Sequence, residues 1–430
     1  MNCYSENIAP DSFSGIIFAM EGIDSSVTLI NGPSGCKFYH SSVSDGQSVH
    51  KQDFDPLNYP EKWYFGQPRV PCTYLDSRDY VYGSREKLEE ALDFLNKNVT
   101  FDLLAVINSP GASLIGDDLK SIVSSSIKEK KFVIIETPGF SENICSGYER
   151  AAIEIVKQLS IPKQKVQPFT VNILGLSIFH KYYRGDVKEL KRLLNICGIK
   201  VNCCLFAGCS IEDIDSLSSA KLNIVIHPEY GCETALFLKE NYGTPFYVCD
   251  GPPIGFAATE KFVEDICTIL KMDRSNFKEE SEIARAEAFM NISRVNSLTG
   301  LPKGVNFAIE GTWSEVYSYT LFLVKHFGMI AECASIINKE RNVFRKKTTA
   351  LFSKLYLPES LEKNIMDTSS ELVFASGNTI ANLKLQGHRF SGIETSLPSL
   401  GYIDVIPKTH LGLRGALMIT EQVLNGLMFE

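Results

Sequence analysis

The sequence predicts an α/β protein of three domains, each built on a parallel sheet. Three observations carry this. Short apolar runs repeatedly end in small or turn-forming residues, amphipathic stretches of helical period follow them, and 430 residues exceed one domain at roughly 100–200 residues per domain. In chain order, residues 103–107 run into Ser109-Pro110-Gly111-Ala112, and residues 132–135 run into Thr137-Pro138-Gly139. Residues 171–174 meet Gly175 before a helix expected over 186–196, where Leu190, Leu193 and Leu194 form one apolar stripe. Residues 201–206, 222–226 and 246–248 continue the series. A third set opens with 305–309, ending in Gly311-Thr312 before a helix over 314–327, and continues with 371–375 before Ser376-Gly377-Asn378. Pro-rich or charged stretches at 161–167 and 272–282 serve as boundaries, giving domains 1–165, 166–280 and 281–430. In such sheets ligands bind beyond the carboxyl ends of the strands, so the residues just after each strand carry the functional information.

Composition narrows the function. With 43 Lys+Arg against 51 Asp+Glu the net charge is −8, which argues against a nucleic-acid partner. No run of about 18 uncharged apolar residues occurs, so no membrane span is expected; residues 317–330 come nearest and contain Lys325 and His326. The first basic residue is Lys37, so no secretory signal is expected, and the twelve cysteines read as cytoplasmic thiols. Gly-x-Gly, Gly-Lys, Cys-x-x-Cys and His-Glu-x-x-His are all absent. That removes the dinucleotide fingerprint, the P-loop, ferredoxin-type and ribbon sites, and zincin chemistry. Redox chemistry would need cysteines converging from distant segments.

Seven motifs in register carry a family resemblance. Asn31-Gly32-Pro33-Ser34-Gly35-Cys36 resembles the Gly-Pro-x-Gly-Cys loop of nitrogenase component 1 proteins. Pro71-Cys72, with Tyr82-Gly83-Ser84 and Lys87-Leu88 behind it, is similar to that family's second cysteine segment. Leu114-Ile115-Gly116-Asp117-Asp118 resembles its Ile-Gly-Asp-Asp motif, and Glu136-Thr137-Pro138-Gly139-Phe140 with Gly147-Tyr148 its Glu-Ser-Pro-Gly-Phe segment. Residues 171–175, Gly185-Asp186 and Leu222-Asn223 follow in order. The resemblance implies three Rossmann-like domains around a central cleft, a dimer with a homologous subunit, an iron–sulfur cluster at the interface, and a separate ATP-hydrolysing iron protein as electron donor. A further metallocofactor or a tetrapyrrole in the cleft would also accord with it. The absent P-loop fits a division of labour in which the partner hydrolyses ATP.

A 4Fe–4S cluster needs about four ligands, usually cysteine. Cys36 lies in a Gly/Pro-rich loop where backbone can approach a cluster closely. The family's third cysteine precedes Ile-Gly-Asp-Asp, and here residues 108–113 contain none. Cys36 and Cys72 from each of two subunits would make four thiolates; a heterodimer whose partner supplies the rest is the other arrangement. Two buried thiols in a member that has lost its cluster is the third.

The resemblance places His227 at or beside the residue that ligates the large iron cofactor in the nitrogenase catalytic subunit. A histidine there could ligate a metal, move protons, or only hydrogen-bond a carbonyl. Residues 408–416 resemble the family's last cleft loop, and Lys408, His410 and Arg414 put positive charge at a helix N-terminus, suited to an anionic substrate unless surface carboxylates take up Lys408 and Arg414. Gly311, Thr312 and Asn378 end strands of the third domain and are expected to line the same cleft. Cys203 and Cys204, adjacent in a strand, point to opposite faces and read as core thiols. Two function classes follow: a nitrogenase-like reductase component, with His227 and His410 as candidate catalytic residues, or a non-catalytic assembly scaffold or inactive half of a heterodimer.

Overall fold

The computed structural model describes residues 10–37, 70–128, 130–136, 142–397 and 404–428. Residues 137–140 of the Glu-Thr-Pro-Gly-Phe motif lie outside this set. Three all-parallel sheets carry the fold, as the strand–loop–helix pattern predicts. The first joins β1 (Ser26–Asn31), β2 (Leu103–Asn108) and β3 (Lys131–Glu136) in that order. The second contains β4 (Thr170–Leu174), β5 (Lys200–Cys204), β6 (Leu222–Val225) and β7 (Phe246–Val248) in the order β5-β4-β6-β7. The third contains β8 (Asn306–Gly311), β9 (Ile330–Ile336), β10 (Leu372–Ser376) and β11 (Ser391–Ser396) in the order β11-β10-β8-β9.

The chain divides into two compact units. One comprises residues 9–164 and 205–218, the other 165–204 and 219–430. In the first unit every residue of β1 and β2 is buried, as parallel strands covered on both faces require. Val27, Leu29, Leu104 and Val106 pack with Leu88, Leu92 and Leu95 of the helix Arg85–Asn98 and with Ile122 and Val123 of the helix Leu119–Ser126.

The second unit holds the other two sheets. From β4 the chain goes first to β5 on one side and then to β6 on the other, so β4 and β6 flank a point where strand order reverses. β8 and β10 flank the same kind of point in the third sheet. Such points are where open α/β sheets accept ligands at their carboxyl ends. The helix Trp313–Phe327 follows β8 and is closed by a Thr312/Glu315 capping box. Residues 272–282, expected as a boundary, lead into the helix Ser275–Thr299, in which Phe277, Ser281, Ala284 and Ala288 bury one stripe.

Candidate functional site

Among the described residues, two groups of chemically capable side chains lie at strand ends, one in each unit. In the first unit β1 and β2 end in Asn31 and Asn108, whose side chains bond across the sheet at 3.0 Å. Asn31 also donates to the Ser84 hydroxyl at 3.0 Å and accepts from Thr73 at 2.9 Å, and Thr73 Oγ1 accepts from the Gly32 amide at 3.0 Å. This lattice fixes three segments beside one another: the turn carrying Cys36, the Cys72 strand extension, and the loop from Ser109. Cys72 is drawn against β1 because the Ile30 amide donates to Pro71 O at 2.9 Å and the Thr73 amide to Ile30 O at 3.0 Å.

Cys36 is half-buried, Cys72 and Ser109 fully buried. The Ser109 hydroxyl hydrogen-bonds the Cys36 thiol, and Cys72 is close enough to bear on its ionisation; burial, the larger effect, pushes the Cys36 thiol above its ordinary value. Ser109 also hydrogen-bonds Tyr80. The two predicted thiols therefore converge, and the cysteine-free stretch 108–113 places a serine oxygen beside them. Ser84 joins two further motifs, its amide and hydroxyl both donating to Asp117 at 2.6 and 2.8 Å.

In the second unit His180 follows β4, His227 follows β6, and Glu315 lies in the first turn after β8. Both imidazoles are buried, at 5% and 4% exposure, and stack with centroids 4.0 Å apart. Gly175, at φ +80, makes the approach of the two loops possible: a Cβ there would sit 2.6 Å from the His227 carbonyl oxygen. His180 Nε2 lies 3.6 Å and His227 Nδ1 3.8 Å from Oε1 of Glu315, whose Oε2 accepts from the Thr312 amide and hydroxyl at 2.8 Å each. Burial pushes both rings below the ordinary histidine value; Glu315 opposes this at His180, whereas His180 adds to it at His227.

The remaining predicted residues are placed differently. His410 has both ring nitrogens engaged: Nδ1 lies 2.7 Å from Tyr319 Oη and Nε2 2.8 Å from Gln422 Oε1. An amide oxygen only accepts, so Nε2 carries the proton and the tyrosine hydroxyl donates to Nδ1. Burial holds this ring down at about 4, so it is neutral near pH 7. Lys408 pairs with Asp404 at 2.8 Å, and Arg414, 68% exposed, lies 3.8 Å from Glu189. Thr312 caps its helix and Gly311 closes β8; Asn378 occupies the first turn of the helix Gly377–Leu385. The Gly185-Asp186 motif clamps the last loop: Asp186 accepts from Thr409 Oγ1 at 2.6 Å and from the His410 and Leu411 amides at 3.1 and 3.3 Å. Next to it Lys181 is buried against Glu394 and, at 3.0 Å, Asp404. A cavity of about 20 Å³ is lined by His180, Tyr182, His227, Glu315, Tyr319 and His410, among others.

Sequence reasoning did not single out His180, Glu315 or Ser109. The signal for Glu315 was the Thr-x-x-Glu spacing of a capping box, and for His180 its place a few residues beyond a strand-ending glycine.

The family model for nitrogenase component 1 type oxidoreductases matches residues 12–428. The chain belongs to this family. Among curated proteins it is similar to a light-independent protochlorophyllide reductase subunit from Heliobacterium modesticaldum, 21% identical over 372 residues, covering 85% of this chain and 68% of that protein. The corresponding reductase subunit of Stigeoclonium helveticum is 27% identical over 325 residues, covering 71% of this chain and 60% of the relative. The solved structure of nitrogenase Cp1 at pH 6.5 superposes with a TM-score of 0.75 at 17% identity, covering 100% of this chain and 94% of that one. At this identity the likeness shows the fold. Among the described residues, no helix of this family member is long and apolar enough to cross a membrane.

Proposed function

We propose that the chain is a cytoplasmic reductase component that takes low-potential electrons from an ATP-dependent iron protein and delivers them to a substrate bound near His227. The reading rests on the convergence of Cys36 and Cys72 at the ends of β1 and β2, with the Ser109 hydroxyl on Cys36. Thiolate is the preferred iron–sulfur ligand, so these residues suit a 4Fe–4S cluster, and the same pair from a homologous subunit would complete four thiolates. When bound, such a cluster supplies one-electron transfer. The chain's own residues hold the two thiols in a fixed loop lattice and keep Cys72 from water.

A partner subunit has a surface to occupy here. Val81 and Tyr82, in the short helix Asp79–Tyr82, are 74% and 82% exposed, and Leu114, in the turn Ala112–Leu114, is 88% exposed. Exposed apolar side chains of this size are what an interface between subunits buries. The division of labour with an iron protein is supported by the absent P-loop. As it stands, the cavity beside His227, at about 20 Å³, admits neither a tetrapyrrole nor another substrate larger than water without opening.

The cysteine-free stretch 108–113 favours one second reading, a scaffold or the inactive half of a heterodimer. Anaerobic purification with iron and sulfide quantitation and EPR, on wild type and Cys36→Ala, separates the two. About four irons per dimer, a reducible signal, and loss of both in the variant are expected for the reductase. Iron-free protein that remains folded and dimeric would overturn it and leave the second reading.

A further inference from the structure

We propose that His180, His227 and Glu315 form a mononuclear site for a first-row divalent transition-metal ion, bound through Nε2, Nδ1 and Oε1. The proposal does not depend on a cluster at Cys36 and Cys72. The three ligand atoms lie within 4.8 Å of one another. They arrive from the carboxyl ends of β4, β6 and β8: two of these strands flank the reversal point of the second sheet, and the third flanks that of the third. The site is thus made where two sheets each present the end at which α/β folds accept ligands.

Two buried nitrogens point to an ion. Among the described residues, His180 Nε2 and His227 Nδ1 have no hydrogen-bond partner, although each imidazole is more than nine-tenths buried. Leaving a buried polar nitrogen unsatisfied is costly, and two facing the same carboxylate oxygen are difficult to explain as packing alone. Their separations from Oε1, 3.6 and 3.8 Å, are too long for hydrogen bonds. They are close to the spacing of about 3.4 Å that bonds of about 2.1 Å impose between ligands of a tetrahedral ion. The adjoining cavity of about 20 Å³ has room for one water-sized species, which would complete the coordination.

The supporting contacts are already built on one side. Glu315 Oε2 is held by both donors of Thr312, which aims Oε1 at the histidines and fixes the carboxylate through the helix cap. On the other side binding requires rearrangement. The Ser177 amide donates to His180 Nδ1 at 3.1 Å, so the neutral ring carries its proton on Nε2. An ion at Nε2 moves that proton to Nδ1, and the Ser177 contact opens. The stacked rings, now 17° from parallel, splay so that both lone pairs converge. A donor set of two imidazoles and one carboxylate selects Fe²⁺, Co²⁺ or Zn²⁺ over Mg²⁺ or Ca²⁺.

The test uses full-length protein, purified anaerobically, stripped with chelator and titrated with Co²⁺. Wild type should take up one ion per chain at this site, with visible d–d absorption lacking sulfur-to-cobalt charge transfer, and Cys36→Ala should retain that signal. His227→Ala should lose it or bind at least about tenfold more weakly. Glu315→Gln keeps the Thr-x-x-Gln cap and hence the fold, and should weaken binding likewise. Wild type that takes up no ion with this spectrum, or binding unchanged in folded Glu315→Gln, overturns the proposal. Because the signal is read in Cys36→Ala as well, failure of the cluster reading would leave this result standing, and the reverse holds too.

Discussion

Asp186 should make the stability of the whole chain depend on pH in a direction opposite to ordinary acid denaturation. Its carboxyl is buried, and burial pushes it up to about 7, against the hydrogen bonds from Thr409 and from the amides of His410 and Leu411, which favour the charged form. The unfolded chain ionises the same group at its ordinary 3.8. Between these values the native state holds a proton that the unfolded state has lost. The contribution of Asp186 is therefore complete below the unfolded value and is lost as pH rises through the folded one. From about pH 5 to about pH 8 the chain crosses roughly two pKa units of that window, worth about 3 kcal/mol at 1.36 kcal/mol per unit. Unfolding entropy of about 2.1 cal/mol/K per residue gives roughly 0.9 kcal/mol/K for a chain of this length, so the effect is about 3 °C in Tm. Asp186→Asn keeps an accepting oxygen for the loop and cannot ionise. Thermal scans of both proteins across this range should show the variant gaining about 3 °C relative to wild type as pH rises. Hydrogen exchange at the His410 and Leu411 amides, corrected for its intrinsic pH dependence, should lose protection in wild type alone. Parallel Tm curves for the two proteins would refute the reasoning.

Three further outcomes are expected. Lys181→Met leaves Glu394 and Asp404 without their shared buried cation; breaking such a pair costs about 3–5 kcal/mol, read as a fall in Tm, and an unchanged Tm would count against the network. Gly185→Ala sets a Cβ 1.8 Å from the Lys408 carbonyl oxygen, so the last loop must shift; a loss of about 1–3 kcal/mol is expected, with faster exchange at residues 409–411, and wild-type exchange would show the clamp to be dispensable. Ser109→Cys adds a third thiol beside Cys36 and should raise the iron retained per chain after anaerobic reconstitution. Equal iron in both proteins would mean that the Ser109 side chain does not face the cluster position.

The strands that were legible are those whose residues are almost all apolar. β2, β4, β6, β7, β8 and β10 lie within a residue or two of the apolar runs that announce them, because strands covered on both faces need continuous apolar sequence. β1 escaped notice, as did β9 and β11, the two edges of the third sheet. Each of these edges carries a glutamate that composition reads as a loop residue. Glu332 of β9 accepts from Thr368 at 2.7 Å, and Glu394 of β11 is buried against Lys181, more than 200 residues away in sequence. Nothing local announces such partners. The candidate sites divide in the same way. Cys36, Cys72 and His227 were visible from motif and strand end. His180 and Glu315 were not, since their meeting depends on which strands are neighbours and not on any spacing along the chain. For His410 the type of residue was informative and its surroundings were not: Tyr319 and Gln422 engage both nitrogens.

The excursion of residues 205–218 into the first unit has a consequence for how the chain can be made and divided. This segment completes that unit: the Asp24 amide donates to Cys209 O at 2.8 Å, the Gly208 amide to Gly22 O at 2.8 Å, and Phe206 meets the edge of Tyr148 at 5.3 Å. β4, a helix and β5 of the other unit are synthesised before it. On the ribosome residues 205–218 emerge after 165–204, so the contacts of Gly208, Cys209 and Phe206 with the N-terminal unit form only once this segment is free. The two units share one assembly schedule, and no single cut in the gene yields both of them whole.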